Sequence, residues 1–263
     1  MKYWQPVEIT DKTFYNTRLG PLQILLVKEL NELKISESRL TEEEMIEEDW
    51  EQISRKAEKC DPLDSSNWKR WIVPEEPLKL KFIPVMPDRP VVVRPESAIQ
   101  ILPGNKTRFF VSIPVWVRIA TEKDETLTDI PTLIPSNTWF GEPLTGELCY
   151  AVKSKTITNF EHRKVKVYTA ICPIFIENHS PSNFFFRRIS IHTEFLGIYA
   201  GQKHLWTNQL DVKIEGDDQK SYIDFSESAP EIEKISGQLS APREVPTKKL
   251  YRKMFADLPF IKG

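Results

Sequence analysis

Two histidines and a glutamate have the residue types and part of the spacing of a metal site. His192 and Glu194 are two residues apart, so on a β-strand their side chains would lie on the same face. His204 follows a short distance along the chain. Imidazole nitrogens and carboxylate oxygens are common ligands of transition metals. One hypothesis is therefore a metal-dependent enzyme that acts on a small molecule through His192, Glu194 and His204.

The segment around His204, residues 201–208, is similar to the second conserved motif of cupins. That resemblance implies a metal bound by histidines and a carboxylate inside a jelly roll. The sequence departs from the cupin pattern in two ways. Glu194 stands where the first cupin motif has its second histidine, and the two pieces lie closer together than the cupin motifs do. Because surface pairs of histidine and carboxylate are common, the metal enzyme remains the alternative hypothesis.

A loop over residues 135–143 sets aromatic side chains among hydrogen-bonding groups. Loops at the ends of β-sheets often carry binding residues, and an exposed Trp139 could stack on a sugar, a base or a partner's proline. The competing interpretation is that these aromatic residues close the core, which is favoured because large aromatics usually bury most of their area. The candidate ligand-binding residues are Asn137, Trp139, Phe140, Glu142, Trp206 and Asn208.

Other chemistry is disfavoured by the sequence. There is no G-x-S-x-G nucleophile elbow and no glycine motif for phosphate. Cys60, Cys149 and Cys172 are widely spaced and form no C-x-x-C, which favours buried thiols over a disulfide framework or a zinc ribbon. The 36 basic and 38 acidic residues create no field that would recruit nucleic acid. Small basic clusters such as Arg187-Arg188 read as ordinary surface, and we predict neither a cofactor nor a nucleic-acid partner.

The elements that must position these residues are mostly β-strands. Between residues 107 and 119 every odd position from Phe109 to Ile119 is apolar, an alternation typical of a strand over a core. We expect this strand to form a hairpin with residues 91–102 across the turn at Pro103-Gly104. Pro114 cannot donate to a sheet, so we expect an edge there, or a bulge where the strand bends from one sheet to another.

Further strands are predicted along most of the chain. Residues 12–36 read as a β-meander, and the apolar parity within 184–199 shifts, which predicts a bulge near Arg187-Arg188. Many strands joined by short turns favour an immunoglobulin-like or jelly-roll-like β-sandwich. The other predicted strands are 147–155, 164–177 and 205–215.

Two helices are expected, one near each end. A capping box at Thr41 and Glu44 predicts the first over about 41–59, and a basic segment with apolar residues four apart predicts the second over 248–258. The expected organisation is a small meander-plus-helix unit packed on the main body, then the sandwich, then an extended tail with the short helix, at residues 1–75, 76–226 and 227–263 respectively.

Several of these segments together resemble a prokaryotic family known only as a domain of unknown function. The likeness covers nearly the whole chain, and it implies no activity, substrate or cofactor. The stretches that carry it are 86–97 (MPDRPVVVRPES), 103–104, 113–118, 139–141 and 146–150, with 20–22 and 205–208.

The leading functional hypothesis is a non-enzymatic β-sandwich that binds another protein or self-associates. The start of the chain lacks the apolar core of a signal peptide, and no apolar run approaches the ~18 residues of a membrane helix, so we expect a cytoplasmic protein without a membrane span. A weaker alternative is a carbohydrate-binding module with Trp139 as its platform. The small-molecule ligand, if there is one, is not identified by the sequence.

Overall fold

The computed structural model of the protein describes residues 2–40, 52–56, 68–95, 98–152, 165–216 and 220–245. Within these ranges the chain is mainly β, with 22 strands and two short 3-10 helices, Lys2–Trp4 and Thr193–Phe195. The mainly-β prediction is therefore confirmed, whereas the sandwich type stays a prediction. None of the helices in the described ranges has the length and apolar character needed to cross a membrane.

The strands are, in chain order, β1 Val7–Ile9, β2 Thr13–Leu19, β3 Leu22–Glu29, β4 Glu32–Arg39, β5 Gln52–Lys56, β6 Lys69–Ile72, β7 Leu78–Val85, β8 Val91–Val93, β9 Ile99–Ile101, β10 Lys106–Pro114, β11 Trp116–Thr121, β12 Thr126–Pro131, β13 Ser136–Phe140, β14 Glu147–Val152, β15 Thr169–Asn178, β16 Phe184–Phe186, β17 Ile189–Ile191, β18 Ile198–Ala200, β19 Leu205–Thr207, β20 Leu210–Glu215, β21 Lys220–Phe225 and β22 Gly237–Ser240.

The chain forms two compact units, each assembled from separate stretches. Unit 1 consists of Met1–Val85, Val115–Ile134 and Lys166–Tyr168. Unit 2 consists of Met86–Pro114, Pro135–Val165 and Thr169–Gly263. The three consecutive segments expected from the sequence stay a prediction.

Unit 1 contains two sheets, in the orders β5-β2-β3-β4-β6 and β1-β7-β11-β12. The predicted meander is confirmed, because β2, β3 and β4 pair antiparallel in succession. Apolar residues from both sheets, such as Leu26, Phe82 and Val117, share one buried cluster. Gly20, at a φ of +57°, turns β2 into β3 where a Cβ would overlap the ring of Tyr168, so this tight turn requires glycine.

The helix predicted over residues 41–59 is wrong at residues 52–56. These residues form β5, which pairs antiparallel with β2 from Thr13↔Lys56 to Thr17↔Gln52. The open edge of β2 offers backbone hydrogen bonds that override the local preference for helix. Residues 41–51 and 57–59 lie outside the described ranges, and so does the second predicted helix over 248–258.

In unit 2 the longest strand, β15, organises the largest sheet. Along one edge β15 pairs antiparallel with β10, from Lys106↔Glu177 to Pro114↔Thr169. Along its other edge it pairs in parallel with β19 and then with β20. The predicted hairpin of 91–102 with 107–119 is wrong, because β9 pairs with β16 and β10 with β15. Pro114 was expected at an edge, or at a bulge between two sheets. In the described ranges β10 ends at Pro114 and pairs only with β15, so Pro114 lies on an edge strand, and the chain continues into β11 of another sheet.

A second sheet of unit 2, in the order β13-β14-β8-β17, carries the candidate site. β13 and β14 form an antiparallel hairpin, and β8 lies between β14, to which it is parallel, and β17, to which it is antiparallel. The parity shift near Arg187-Arg188 marks the gap between β16, which pairs with β9, and β17, which pairs with β8. The predicted bulge is thus a change of sheet.

Candidate functional site

Several polar side chains lie close together on one face of this sheet. Glu147 and Cys149 are two residues apart on β14 and so share a face. Ser190 lies on β17, and His192 directly follows that strand. The two pairs meet, because the Ser190 hydroxyl lies 3.7 Å from the Cys149 Sγ and donates to Glu147 Oε1 at 3.4 Å. Together with Glu194 we call these residues the polar cluster.

His192 is held between the two carboxylates of the polar cluster. Its side chain is only 3% exposed, with Nδ1 at 2.8 Å from Glu194 Oε1 and Nε2 at 3.3 Å from Glu147 Oε1. Burial by itself would lower the pKa of His192, but the hydrogen bonds to Glu147 and Glu194 outweigh it and raise the pKa to about 9. At neutral pH the ring is therefore a cation, and both of its N–H groups donate to carboxylates.

Cys149 lies in the same cluster and is fully buried. Burial raises the pKa of its thiol to about 11, against the opposing effect of the hydrogen bond with Ser190. Nucleophilic catalysis by a cysteine and a histidine needs a thiolate or a neutral imidazole that can accept its proton. With the pKa of its thiol raised and that of His192 raised, the cluster holds a protonated thiol beside a buried imidazolium at neutral pH.

The proposed metal ligands are only partly brought together. His192 and Glu194 bond to each other, whereas His204 Nδ1 lies 3.1 Å from Glu233 Oε2. In the described part of the chain, no group of three or more histidine, cysteine, aspartate or glutamate side chains is arranged to hold a metal ion.

Trp206 and Asn208 serve the fold of unit 2. Trp206 is fully buried, and its Nε1–H donates to Glu233 Oε2 at 2.6 Å. Asn208 is 4% exposed and ties separate backbone segments together at the break between β19 and β20. Its amide donates to the Ser226 carbonyl at 2.8 Å and accepts from the Gly197 N–H at 2.9 Å. Neither side chain is presented to solvent.

The hairpin of β13 and β14 divides its two adjacent aromatic residues between opposite faces. Phe140 is buried against Val92 and Cys149. Trp139 points the other way, is 46% exposed, and stands directly across from Leu148, which is 44% exposed. The interpretation of these aromatics as core residues therefore fits Phe140 and not Trp139. Asn137 and Glu142, the polar candidates, are exposed on the same hairpin.

The turn of this hairpin fixes the indole of Trp139. Trp139 Nε1–H donates to the Glu142 carbonyl at 3.1 Å, and the Gly146 N–H donates to the same carbonyl at 2.7 Å. A Cβ at Gly146 would overlap Trp139 Nε1 and would lie 2.7 Å from the Glu142 carbonyl oxygen. Gly141 has a φ of +98°, which disfavours any residue with a side chain. Trp139 is thus exposed but held in one orientation.

The outer edge of the hairpin is open within the described ranges, where β13 pairs only with β14. Leu144, in the turn of the hairpin, is 97% exposed. Sequence reasoning missed Leu148, Glu147, Cys149 and Ser190 as site residues. The two-residue spacing of Ser190 and His192 could have indicated a shared face, but the pairing of β17 with β8 that brings in Glu147 has no local sequence signal.

A family model described as a protein of unknown function, DUF432, matches residues 3–261. Comparison with curated proteins and with solved structures finds no match. The match to the family confirms the predicted resemblance to an uncharacterised family and implies no activity. The chain therefore belongs to the DUF432 family of proteins of unknown function.

Proposed function

We propose that the chain is a non-enzymatic module that binds an extended segment of a partner protein along the open edge of β13. One observation carries this proposal: a rigidly held, half-exposed tryptophan on the edge strand β13 stands across from an exposed leucine on the next strand, β14. A segment added at this edge would form backbone hydrogen bonds with β13 and would pack alternate side chains against Trp139 and Leu148. Within this proposal the sheets of unit 2 form the predicted sandwich.

The geometry reduces the free-energy cost of binding. The two hydrogen bonds to the Glu142 carbonyl order the turn and the indole before any partner arrives. Ordering a side chain at an interface costs roughly 0.5–1.5 kcal/mol, which a side chain that is already fixed does not lose. Tryptophan is also among the residues that most often dominate binding energy at interfaces. The hairpin therefore supplies an anchor and a template for a strand.

Charge indicates the chemistry of the partner segment. Residues 136–152 include Glu142 and Glu147 and no lysine or arginine. Glu147 bonds to the charged His192, which leaves Glu142 as the exposed anion at the turn. A partner segment that alternates apolar residues with lysine or arginine would complement both the apolar face and this charge. A second copy of the same acidic hairpin would not.

Selection from a display library of extended peptides, with the full-length chain as bait, tests the proposal. We expect selected peptides to alternate apolar and basic residues. We expect the Leu148→Asp variant to bind them at least roughly tenfold more weakly, because a carboxylate replaces an apolar contact and breaks the alternation of the face. The matched control is Leu102→Asp, since Leu102 is 54% exposed in the same unit and lies outside the hairpin.

Three outcomes would contradict the proposal: equal weakening by both variants, no effect of Leu148→Asp, or selected peptides without basic residues. Light scattering over a range of protein concentrations tests whether the chain self-associates. A dimer that Leu148→Asp dissolves would make a second copy the occupant of the edge and would overturn the assignment to a different protein. Leu148→Ser, which adds no charge, replaces the aspartate variant if circular dichroism shows that the latter does not fold.

A further inference from the structure

Two arginines flank the end of the β8–β17 pair, on the sheet that carries the polar cluster: Arg94 directly follows β8 and Arg188 directly precedes β17. The register of these antiparallel strands pairs Val93 with Ile189. Continued by one residue, the same register sets Arg94 opposite Arg188. Like charges directly opposite one another destabilise a sheet, and the effect increases where solvent is partly excluded. Such a pair calls for a compensating anion.

No described residue supplies that anion. Neither Arg94 nor Arg188 forms an ion pair or a side-chain hydrogen bond with any residue in the described ranges. The Nε of Arg188 is buried without a hydrogen-bond partner there. The carboxylates of the polar cluster, Glu147 and Glu194, bond to His192 instead. Burial and the charge of Arg94 both lower the pKa of Arg188, against a smaller opposing effect of Cys149.

The guanidinium of Arg188 is nevertheless held in place. Its central carbon lies 4.9 Å from the centroid of the Phe140 ring, and a guanidinium over an aromatic face is favourable. Phe140 is itself fixed in the core with Val92 and Cys149. Arg188 is half-buried, while Arg94 is exposed beside it. The result is one oriented, half-buried guanidinium and, next to it, a second cation that is exposed to solvent.

We propose that Arg94 and Arg188 form a binding site for the phosphate group of a phosphate monoester. Two cations match a group that carries close to two negative charges at neutral pH. The planar fork of arginine donates two parallel hydrogen bonds to phosphate oxygens. A bound phosphate would compensate the repulsion between the two side chains. This site is independent of the edge of β13 and of the protein-binding proposal.

Thermal unfolding and titration calorimetry of the full chain, with inorganic phosphate as the probe, test the site. Chloride at matched ionic strength provides the reference. We expect phosphate to stabilise the wild type, and we expect Arg188→Gln and Arg94→Gln each to raise the dissociation constant at least roughly tenfold, the loss of one charge-assisted hydrogen bond. Arg187→Gln is the matched control, because Arg187 is an exposed neighbour outside the cross-strand pair.

The stability of the Arg94→Gln variant, relative to the wild type, should change in opposite directions without and with phosphate. In chloride, Arg94→Gln should be at least as stable as the wild type, because it removes the repulsion across the strands. In phosphate, it should be less stable than the wild type. An equal response to phosphate in the wild type, Arg188→Gln and Arg187→Gln would show a general effect of the salt on stability and would overturn the proposal.

Further probes distinguish the source of the phosphate. Tighter binding of glycerol 3-phosphate or adenosine monophosphate than of inorganic phosphate supports a monoester ligand, whereas equal binding supports free phosphate and overturns the monoester. Acetate that binds as tightly as phosphate would overturn the assignment to phosphate altogether. Arg188→Lys, which keeps the charge and loses the fork, is the second variant if Arg188→Gln does not fold, and it should bind phosphate more weakly than the wild type.

Discussion

His192 ties the stability of the protein to pH through its two carboxylate partners. Its pKa is raised from an ordinary value of 6.5 to about 9, so folding takes up a proton between these values. The stabilisation is fully present below pH 6.5 and is lost as the pH rises through 9. By linkage, we expect the free energy of unfolding to fall by roughly 2 kcal/mol between pH 7 and 9. Urea unfolding at a series of pH values measures this.

Two histidine variants make this pH prediction specific. His192→Gln should flatten the profile between pH 7 and 9 and should lower stability at pH 7. His179→Gln is the control, because His179 bonds to Glu177 at the surface and is 53% exposed. The thiol of Cys149, whose pKa is raised to about 11, stays protonated in the folded chain across this window, and its ionisation in the unfolded chain near pH 9 lowers the stability of the wild type and both variants alike. A profile that persists in His192→Gln would contradict the assignment.

At the scale of single residues, the sequence predicted some site contacts and missed others for a physical reason. His192 and Glu194 do meet, but Glu194 lies in the 3-10 helix Thr193–Phe195 and not on the strand that the spacing argument assumed. The proximity of Glu147 and Arg94 to residues 188–192 could not be predicted from the sequence, because only the pairing of β8 with β14 and β17 brings them together. The burial of Trp206 was within reach of the sequence, because the alternation over residues 205–215 puts it on the same face as Leu210, Val212 and Ile214, which are buried too.

At the scale of elements, the tight turn between β13 and β14 should depend on Gly146. In Gly146→Ala the new Cβ would meet Trp139 Nε1 and the carbonyl oxygens of Phe140 and Glu142. Overpacking of this kind costs roughly 1–3 kcal/mol. We expect thermal unfolding to show that loss, and tryptophan fluorescence to report a displaced indole.

Gly237→Ala serves as the control for the turn. A Cβ at Gly237 meets no heavy atom within 4 Å, so its substitution should change stability by less than about 0.5 kcal/mol. Equal stability of the two variants would mean that the turn yields without cost, and that Trp139 is not held as the hydrogen bonds indicate.

A second prediction at this scale concerns the segment that follows β21. Glu233 in this segment is hydrogen-bonded to Trp206 on β19. Glu233 accepts hydrogen bonds from Trp206 Nε1 at 2.6 Å and from the Lys203 N–H. Glu233→Ala would leave the buried indole N–H of Trp206 without this partner, at a cost of about 1–3 kcal/mol. The exposed Glu231→Ala is the control and should be neutral. Urea unfolding of both variants checks the difference.

The sequence predicted those strands that pair with close neighbours in the chain, and it failed for strands whose partners lie far away in the chain. The β2-β3-β4 meander pairs neighbours across short turns, so its alternation and turn residues sufficed. β5 was predicted as helix because Thr41 and Glu44 form a helix-start signal. The pairing of residues 52–56 with the edge of β2 cannot be predicted from the sequence of that segment. β10 was paired with the wrong strand for the same reason, since its partner β15 follows some 60 residues later.

At the scale of the whole molecule, the division into units makes a prediction about fragments. Residues 1–85 lack β11, which lies between β7 and β12, and lack the core residues Val117, Ile119, Ile130 and Tyr168. We expect this fragment to unfold without cooperativity and to give a poorly dispersed amide NMR spectrum. Burial of apolar surface drives folding, and a sheet that lacks its central strand cannot complete that burial.

A fused chain provides the positive control. Val85 and Trp116 are cross-strand partners at the adjacent ends of β7 and β11. Joining residues 1–85 to 116–134 through a two-residue Asn-Gly turn should therefore restore the antiparallel pair. This chain is expected to regain dispersion and a cooperative transition. Cooperative folding of residues 1–85 alone would show that the first sheet of unit 1 suffices, and would contradict the expectation.

The ring of Tyr168 against Gly20 has a consequence for biosynthesis. Ribosomes add roughly 5–20 residues per second, so the turn at Gly20 leaves the ribosome many seconds before the tyrosine that covers it. Throughout that interval the first meander has an uncovered apolar face, and strands of unit 2 emerge before unit 1 is complete. Nascent chains of this protein should therefore engage chaperones until translation has passed Tyr168.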